Sequence, residues 1–257
     1  MTSLFASLAA LEVSGQAAAL CTVIRARGSV PRHVGSKLLV YADGRIEGSI
    51  GGGALESRVI VAAQEALRTG QASLVQHQLV DPTQGDPGVC GGEVEIFVEP
   101  LRPRPTLLVI GGGHVGQAVV HLGHWLGFCV ILTDDRPEFC APEATPGADV
   151  YLPGAFLEVA AQVPFTPDTY IVLSTRGSPV DVALLPFLLA RPHAYLGVIG
   201  SRRRWAVTVK QLVAAGISED QLAHVRAPMG LEIHAETPEE IALSVMAEII
   251  QRRRGEA

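Results

Sequence analysis

Apolar positions along this chain fall into two regimes. From residue 106 onward, Thr106 to Ile110, Cys129 to Thr133, Thr169 to Leu173 and Tyr195 to Ile199 are short and almost wholly apolar. Stretches with helical spacing, such as Val115 to Leu126, lie between them. Strands apolar on both faces that alternate with helices predict a parallel sheet covered on both sides. The earlier part reads differently. A short helix over 3–13 and a buried strand over 17–25 precede a strand over Lys37 to Tyr41, which Asp43-Gly44 turns into Arg45-Ile46-Glu47 as a hairpin. Ala54 to Arg68 has helical spacing and stops near Gly70, and residues 73–79 and 93–98 alternate like strands. Thr237-Pro238-Glu239-Glu240 is a capping box with Pro at the first helical position, and Ile241, Val245 and Ile249 mark the apolar face of the helix it opens.

Residues 101–105, Leu-Arg-Pro-Arg-Pro, restrict the backbone to extended conformations and read as a linker. The expected organisation is a domain over 1–100, the linker, and a domain over 106–257. The expected fold class is α/β: a C-terminal Rossmann-type parallel sheet domain preceded by a smaller α/β domain. The composition is compatible, since 48% of the 257 residues are hydrophobic and 18% charged, enough apolar surface for real cores. A formal net charge of −6 offers no counterion-release affinity, so nucleic acid is not an expected partner. Arg202-Arg203-Arg204 and Arg252-Arg253-Arg254 read as solvated clusters. No apolar run reaches membrane-spanning length, and Met1 to Ala10 has no basic n-region or cleavage pattern, so the expectation is a cytoplasmic protein without a membrane partner. Four cysteines without a C-x-x-C pair read as free thiols in a reducing compartment.

The first candidate site is Gly111-x-Gly113-x-x-Gly116, with His114 inside the turn. It follows a strand, opens a helix and precedes a second strand ending at Asp134, near the spacing of a ribose-binding acid. Glycines let backbone approach an anion, and the helix start presents free N–H groups to it. The alternative is a Rossmann scaffold whose turn holds something else or nothing. Two more loops are expected at the same sheet edge and around one cleft: Ser174 to Asp181, with Thr175, Arg176 and Asp181, and Gly200 to Arg204, with Ser201 and Arg202. Arg176 and Arg202 are candidates for phosphate, or else solvated arginines at helix starts.

The second candidate is Gly48-Ser49-Ile50-Gly51-Gly52-Gly53, running into a helix that bears Glu56. Successive small residues before a helix make an anion nest, or a tight strand-to-helix turn. Upstream, Arg27-Gly28-Ser29-Val30-Pro31-Arg32 sets two arginines in a glycine and proline turn. The third is Cys90-Gly91-Gly92. Glycine neighbours can leave a cysteine accessible and its thiolate stabilised by amides, and a thiolate is both a nucleophile and a soft metal ligand. A free cysteine is more often a small buried hydrophobe, and Cys129 and Cys21 fit that description.

These segments together resemble the XdhC/CoxI family, the accessory proteins of xanthine dehydrogenase and carbon monoxide dehydrogenase. The matching stretches are Arg27 to Gly35, Gly48 to Gly53 with Glu56, Cys90-Gly91-Gly92 into Val98-Glu99-Pro100, and Gly111 to Gly116 with Asp134, Arg136 and Phe139. Gly197 to Arg202, Pro228-Met229-Gly230-Leu231 and Thr237 to Ala242 complete the set. The resemblance implies a chaperone that binds molybdenum cofactor (molybdopterin), supports its sulfuration by a cysteine desulfurase and hands it to a xanthine dehydrogenase-type molybdenum hydroxylase. Taken with the loops above, the candidate cofactor contacts are Arg32, Gly51, Gly52, Gly53, Glu56, Gly111, Gly113, His114, Gly116, Asp134, Thr175, Arg176, Asp181, Ser201 and Arg202. Cys90 becomes the candidate functional thiolate and possible molybdenum ligand, and a homodimer the expected assembly. Many members carry Thr-His-Asp-His-x-x-Asp after the fourth Rossmann strand. Here Thr175 and Asp181 keep its ends, while Arg176 and Ser178 stand where the histidines would be.

Two other functions fit parts of the pattern. The Gly111 turn alone would suggest an NAD(P)-dependent oxidoreductase, or a nucleotide-sensing regulatory module. Hydride transfer needs a placed acid or base, and no residue stands out for it. The reading is therefore a binding and insertion factor rather than an enzyme, with NAD(P) or another nucleotide as a further candidate at the turn.

Overall fold

The computed structural model describes residues 4–14, 16–78 and 92–255. The chain divides into two compact units between Arg104 and Pro105.

In the N-terminal unit, α1 (Leu4–Ser14) precedes β1 (Ala18–Arg27), β2 (Lys37–Tyr41) and β3 (Ile46–Gly48), then α2 (Gly53–Thr69), β4 (Ser73–Gln78) and β5 (Glu93–Leu101). The strands pair antiparallel in the order β3-β2-β1-β5-β4. Side chains alternate between the two faces of a strand, and both faces are covered here. Ala19, Cys21 and Val23 of β1 and Leu38 and Val40 of β2 pack against Leu55, Val59 and Ala63 of α2. Their neighbours Ala18, Leu39 and Tyr41 pack with Leu11 of α1. Double coverage is why Leu38, Leu39 and Val40 of β2 are all apolar and buried. Leu101, read from sequence as the first linker residue, is still paired with Ala18 at the end of β5.

The C-terminal unit runs β6 (Thr106–Ile110), α3 (His114–Trp125), β7 (Cys129–Asp134), β8 (Val150–Pro153), α4 (Phe156–Val159), β9 (Thr169–Leu173), α5 (Ser178–Leu189), β10 (Tyr195–Val198), α6 (Arg202–Ala214), α7 (Glu219–Ala223) and α8 (Pro238–Gly255). Every pairing is parallel, in the order β10-β9-β6-β7-β8. That is the doubly wound Rossmann order, with its reversal between β6 and β9. Leu107 and Val109 of β6 face Val119 and Val120 of α3 and Val245 and Ile249 of α8. Leu108 and Ile110 face Leu184, Leu185 and Leu188 of α5 and Leu212 of α6. The capping box at α8 is present: Glu240 N–H donates to Thr237 Oγ1 at 3.2 Å, and Thr237 N–H to Glu240 Oε2 at 3.0 Å. No helix among the described residues is long and apolar enough to cross a membrane.

Candidate functional site

Four glycines at the end of β6 have four different surroundings. A Cβ on Gly111 would stand 2.5 Å from the Ser174 carbonyl oxygen, and one on Gly112 would overlap the Phe139 carbonyl. A Cβ on Gly116 would overlap the Gly111 carbonyl oxygen, so this glycine lets α3 start hard against the strand end. Gly113 is different. Nothing lies within 4 Å of the place its Cβ would take, and its φ of −68° and ψ of −177° suit any residue. Folding therefore requires Gly116 but not Gly113, whose bare face leaves room for a ligand at the head of α3. Gly116→Ala should destabilise this unit by about 1–3 kcal/mol, the usual cost of overpacking. Gly113→Ala should leave thermal unfolding within about 0.5 kcal/mol of wild type, as an unconstrained surface change does. Parallel denaturation of both variants checks the pair. Val115 N–H and its neighbours open α3 without a side-chain cap, and His114 is exposed at its first position.

Asp134, at the end of β7, is buried. Its Oδ2 accepts the Gly112 N–H at 2.7 Å and Arg136 Nη2 at 2.9 Å, and its Oδ1 accepts Arg136 N–H and Nε at 2.9 Å. Burial pushes its carboxyl up, but the bonds from Arg136 and Gly112 outweigh burial and hold it below its ordinary value of 3.8. A depressed folded value contributes stability that is full above pH 3.8 and is lost as pH falls through the folded value. Asp134→Asn should flatten the acid limb of stability below pH 3.8 by up to about 1.4 kcal/mol per pH unit, read from urea unfolding between pH 5 and 2.5. The expected ribose-binding acid thus already holds the glycine turn and Arg136, whose guanidinium also lies 4.0 Å over the Phe139 ring.

A cleft of about 200 Å³ opens at the carboxyl ends of β6, β7 and β9. Gly111 and Ile110 border it, with Thr133 to Arg136 on one side, Ser174 to Arg176 on another, and Phe156, Val180 and Leu184 as apolar lining. Arg176 forms an ion pair with Asp135, both half exposed, joining the loops after β7 and β9. Of the three loops expected around one cleft, those at Gly111 and Thr175 border it. The Gly200 loop borders a separate space with Asp181, Arg204 and Trp205, which has no room for a water molecule.

What fills that space is a buried polar cluster. The Asp181 carboxylate is fully buried and accepts the Thr175 hydroxyl and Arg204 Nη2, the latter at 2.6 Å. Arg204 Nη2 also donates to Thr175 Oγ1 at 3.0 Å. Thr175 and Asp181 therefore bind each other and Arg204, a residue the sequence pattern did not single out. Arg202 is exposed at the start of α6, and the Ser201 hydroxyl caps that helix by accepting Arg204 N–H at 3.2 Å. Among the described residues, no three His, Cys, Asp or Glu side chains gather as a metal site.

In the N-terminal unit, Gly51, Gly52 and Gly53 have φ of +134°, +77° and +64°, a left-handed run that leads into α2 without a side-chain cap. Ser49 Oγ accepts the Gly51 N–H at 3.2 Å. A Cβ on Gly51 would stand 2.6 Å from Pro31, and one on Gly92 would overlap the carbonyl oxygen of Ser29 and stand 2.9 Å from that of Arg27. The Arg27–Arg32 turn thus packs against both the glycine run and Gly92. Arg32 is exposed and Glu56 half buried in the first turn of α2. Cys90 lies outside the described residues.

Comparison with known proteins matches residues 107–249, more than half the chain, to the XdhC Rossmann domain. The chain belongs to the XdhC and CoxI family. The family's other model, described as XdhC and CoxI family, matches residues 11–78. The chain is 35% identical over 254 residues to the Escherichia coli (strain K12) protein YqeB, in a match that covers 97% of this chain and 46% of YqeB. It is 33% identical over 159 residues to a Bacillus subtilis (strain 168) protein named as a probable xanthine dehydrogenase component, in a match that covers 62% of this chain and 46% of that one. It thus spans about half the length of these two relatives. It is 26% identical over 271 residues to the Escherichia coli (strain K12) molybdenum cofactor insertion chaperone PaoD, covering 94% of this chain and 85% of PaoD. A solved structure titled as a xanthine dehydrogenase from Bacillus halodurans aligns over 100% of this chain and 97% of its own, with a TM-score of 0.54 and 22% identity, which shows a shared fold.

Proposed function

We propose that this chain is a molybdenum cofactor chaperone: it binds molybdopterin, supports its sulfuration and delivers it to a xanthine dehydrogenase-type hydroxylase. The relation to PaoD along most of both chains carries this reading. The local chemistry is compatible with it. An uncapped helix start behind three left-handed glycines suits the anionic phosphate of a pterin, and the exposed Arg32 supplies a guanidinium in the same unit. When bound, the cofactor would supply a dithiolene-held metal, for which the Cys90 thiolate is the candidate ligand or sulfur carrier. A cysteine desulfurase is the proposed sulfur donor, and a cytoplasmic homodimer the proposed working form. The full chain purified from cells that make the cofactor should retain molybdopterin detectable by mass spectrometry, and Arg32→Ala should retain less. Protein that carries no pterin, and whose deletion leaves client activity intact, would defeat the proposal.

A second reading is favoured by the open face of Gly113: a nucleotide, NAD(P) or another, binds at the Gly111 turn. An oxidoreductase would in addition turn over NADH or NADPH on small carbonyl or purine substrates, which a spectrophotometric panel reads directly.

A further inference from the structure

The last helix, α8, is apolar on two sides. Ala242, Val245, Met246 and Ile249 face inward and pack with Val119 and Val120 of α3. Residues three and four apart share a helix face, so Glu239, Leu243, Ala247, Ile250 and Arg254 form a second stripe, turned away from that core. Ala247 is half buried and the other four are exposed. Leu243 keeps 55% of its surface and Ile250 36%. A surface helix ordinarily carries polar residues on its outer face, and apolar side chains exposed singly need no explanation. Three in line on the outer face of a helix whose inner face is already packed do need one.

The charges at the two ends say what covers the stripe. Glu239 stands in the first turn of α8 and Arg254 in the last. They lie about 22 Å apart along the axis, too far to pair within one chain. Their midpoint falls between Met246 and Ala247, and the midpoint of Leu243 and Ile250 falls at the same place. A second copy of the helix, run antiparallel about a two-fold axis at that point, brings acid to base at both ends and leucine to isoleucine between them. Two-fold contacts are self-complementary in this sense, since residue i meets j and j meets i. Ala247, beside the axis, is small enough to let the two helices approach closely.

We propose that this stripe of α8 is the seam of a two-fold homodimer, with Leu243 against the partner's Ile250 and Glu239 against the partner's Arg254. The proposal rests on the homodimer named above as the working form and adds the surface that makes it. A seam of one helix per copy belongs at the low end of the roughly 1,200–2,000 Å² of specific interfaces, so the dimer should dissociate on dilution.

Sedimentation velocity of the full chain across the micromolar range tests it. The wild type should pass from monomer to dimer as concentration rises. Leu243→Glu should weaken the dimer about ten-fold or more, with the melting temperature of the dilute monomer unchanged. Glu239→Arg alone, and Arg254→Glu alone, set like charges together at both ends and should each weaken it as well. Mixed with each other, these two variants bring opposite charges together at both ends, and a heterodimer should form. Such rescue cannot arise from a change in the stability of either monomer. If the wild type stays monomeric at every concentration, the homodimer and its seam both fall. If it dimerises and none of the three variants weakens it, the homodimer stands on another surface and this assignment falls. If the charge variants weaken the dimer and their mixture does not restore it, the antiparallel pairing falls. If Leu243→Glu leaves the dimer intact but stops client activation, the stripe receives the client and not a second copy.

Discussion

Arg204→Ala is expected to destabilise the C-terminal unit by about 3–5 kcal/mol, the cost of stranding one member of a buried ion pair. The substitution removes two guanidinium bonds to the Asp181 carboxylate, at 2.6 and 3.2 Å, and leaves that fully buried group with the Thr175 hydroxyl alone. Thr175 loses its own contact with Arg204 at 3.0 Å in the same step. The reverse change should cost less. Arg204 keeps 23% of its side-chain surface in contact with solvent, so in Asp181→Ala the guanidinium can still reach water. Replacing both, as Arg204→Met with Asp181→Leu, should recover much of the loss, because an apolar pair avoids the desolvation that the ions must overcome. Both tryptophans of the chain, Trp125 and Trp205, lie in this unit, so intrinsic fluorescence during urea unfolding reports on it selectively. Equal losses in the two single variants would show that burial of Asp181 is not what the pair compensates.

The same cluster shows where sequence reasoning stops. The strands β6 and β9 are legible to the residue, because a strand covered on both faces reads as a near-continuous apolar run. β8 escapes, since it is a four-residue edge strand in which only Leu152 is buried. The Gly111 motif is legible as a turn, but nothing in its spacing separates Gly116, which sterics demand, from Gly113, which they do not. Asp134 is legible as an acid at the right distance from that turn, while its engagement by Gly112 depends on geometry across 22 residues. Three successive arginines at 202–204 look alike in sequence; only their angular positions on α6 leave Arg202 exposed and turn Arg204 to Asp181. One signal was available. Asp181 is a lone acid in the first turn of an otherwise apolar helix, Ser178–Leu189, and a carboxylate so placed needs a cationic or hydroxyl partner.

Cys90→Ala is expected to abolish client activation while leaving the fold intact. Two of the other three thiols sharpen this expectation. Cys21 is fully buried between its sheet and α2, and burial pushes its thiol up to about 12. Burial also raises the Cys140 thiol, which donates to the Leu132 carbonyl at 3.3 Å. Neither supplies a thiolate near neutral pH, and the thiolate is the form that attacks sulfur or binds a soft metal. Cys90 precedes two glycines in the sequence, and the second of them, Gly92, is held against the backbone of the Arg27–Arg32 turn. That turn also touches the glycine run at Gly51. Under the proposed function, cells carrying Cys90→Ala should show the client hydroxylase activity of cells lacking the chaperone, although the purified variant unfolds at the wild-type temperature. Cys140→Ala should retain activation and lose stability instead. Iodoacetamide at pH 7 should modify Cys90 in the native protein and leave Cys21 and Cys140 unmodified until it is unfolded, as mapped by peptide mass spectrometry. Wild-type client activity with Cys90→Ala would remove the thiol from the mechanism and leave cofactor handling to the glycine run and its arginines.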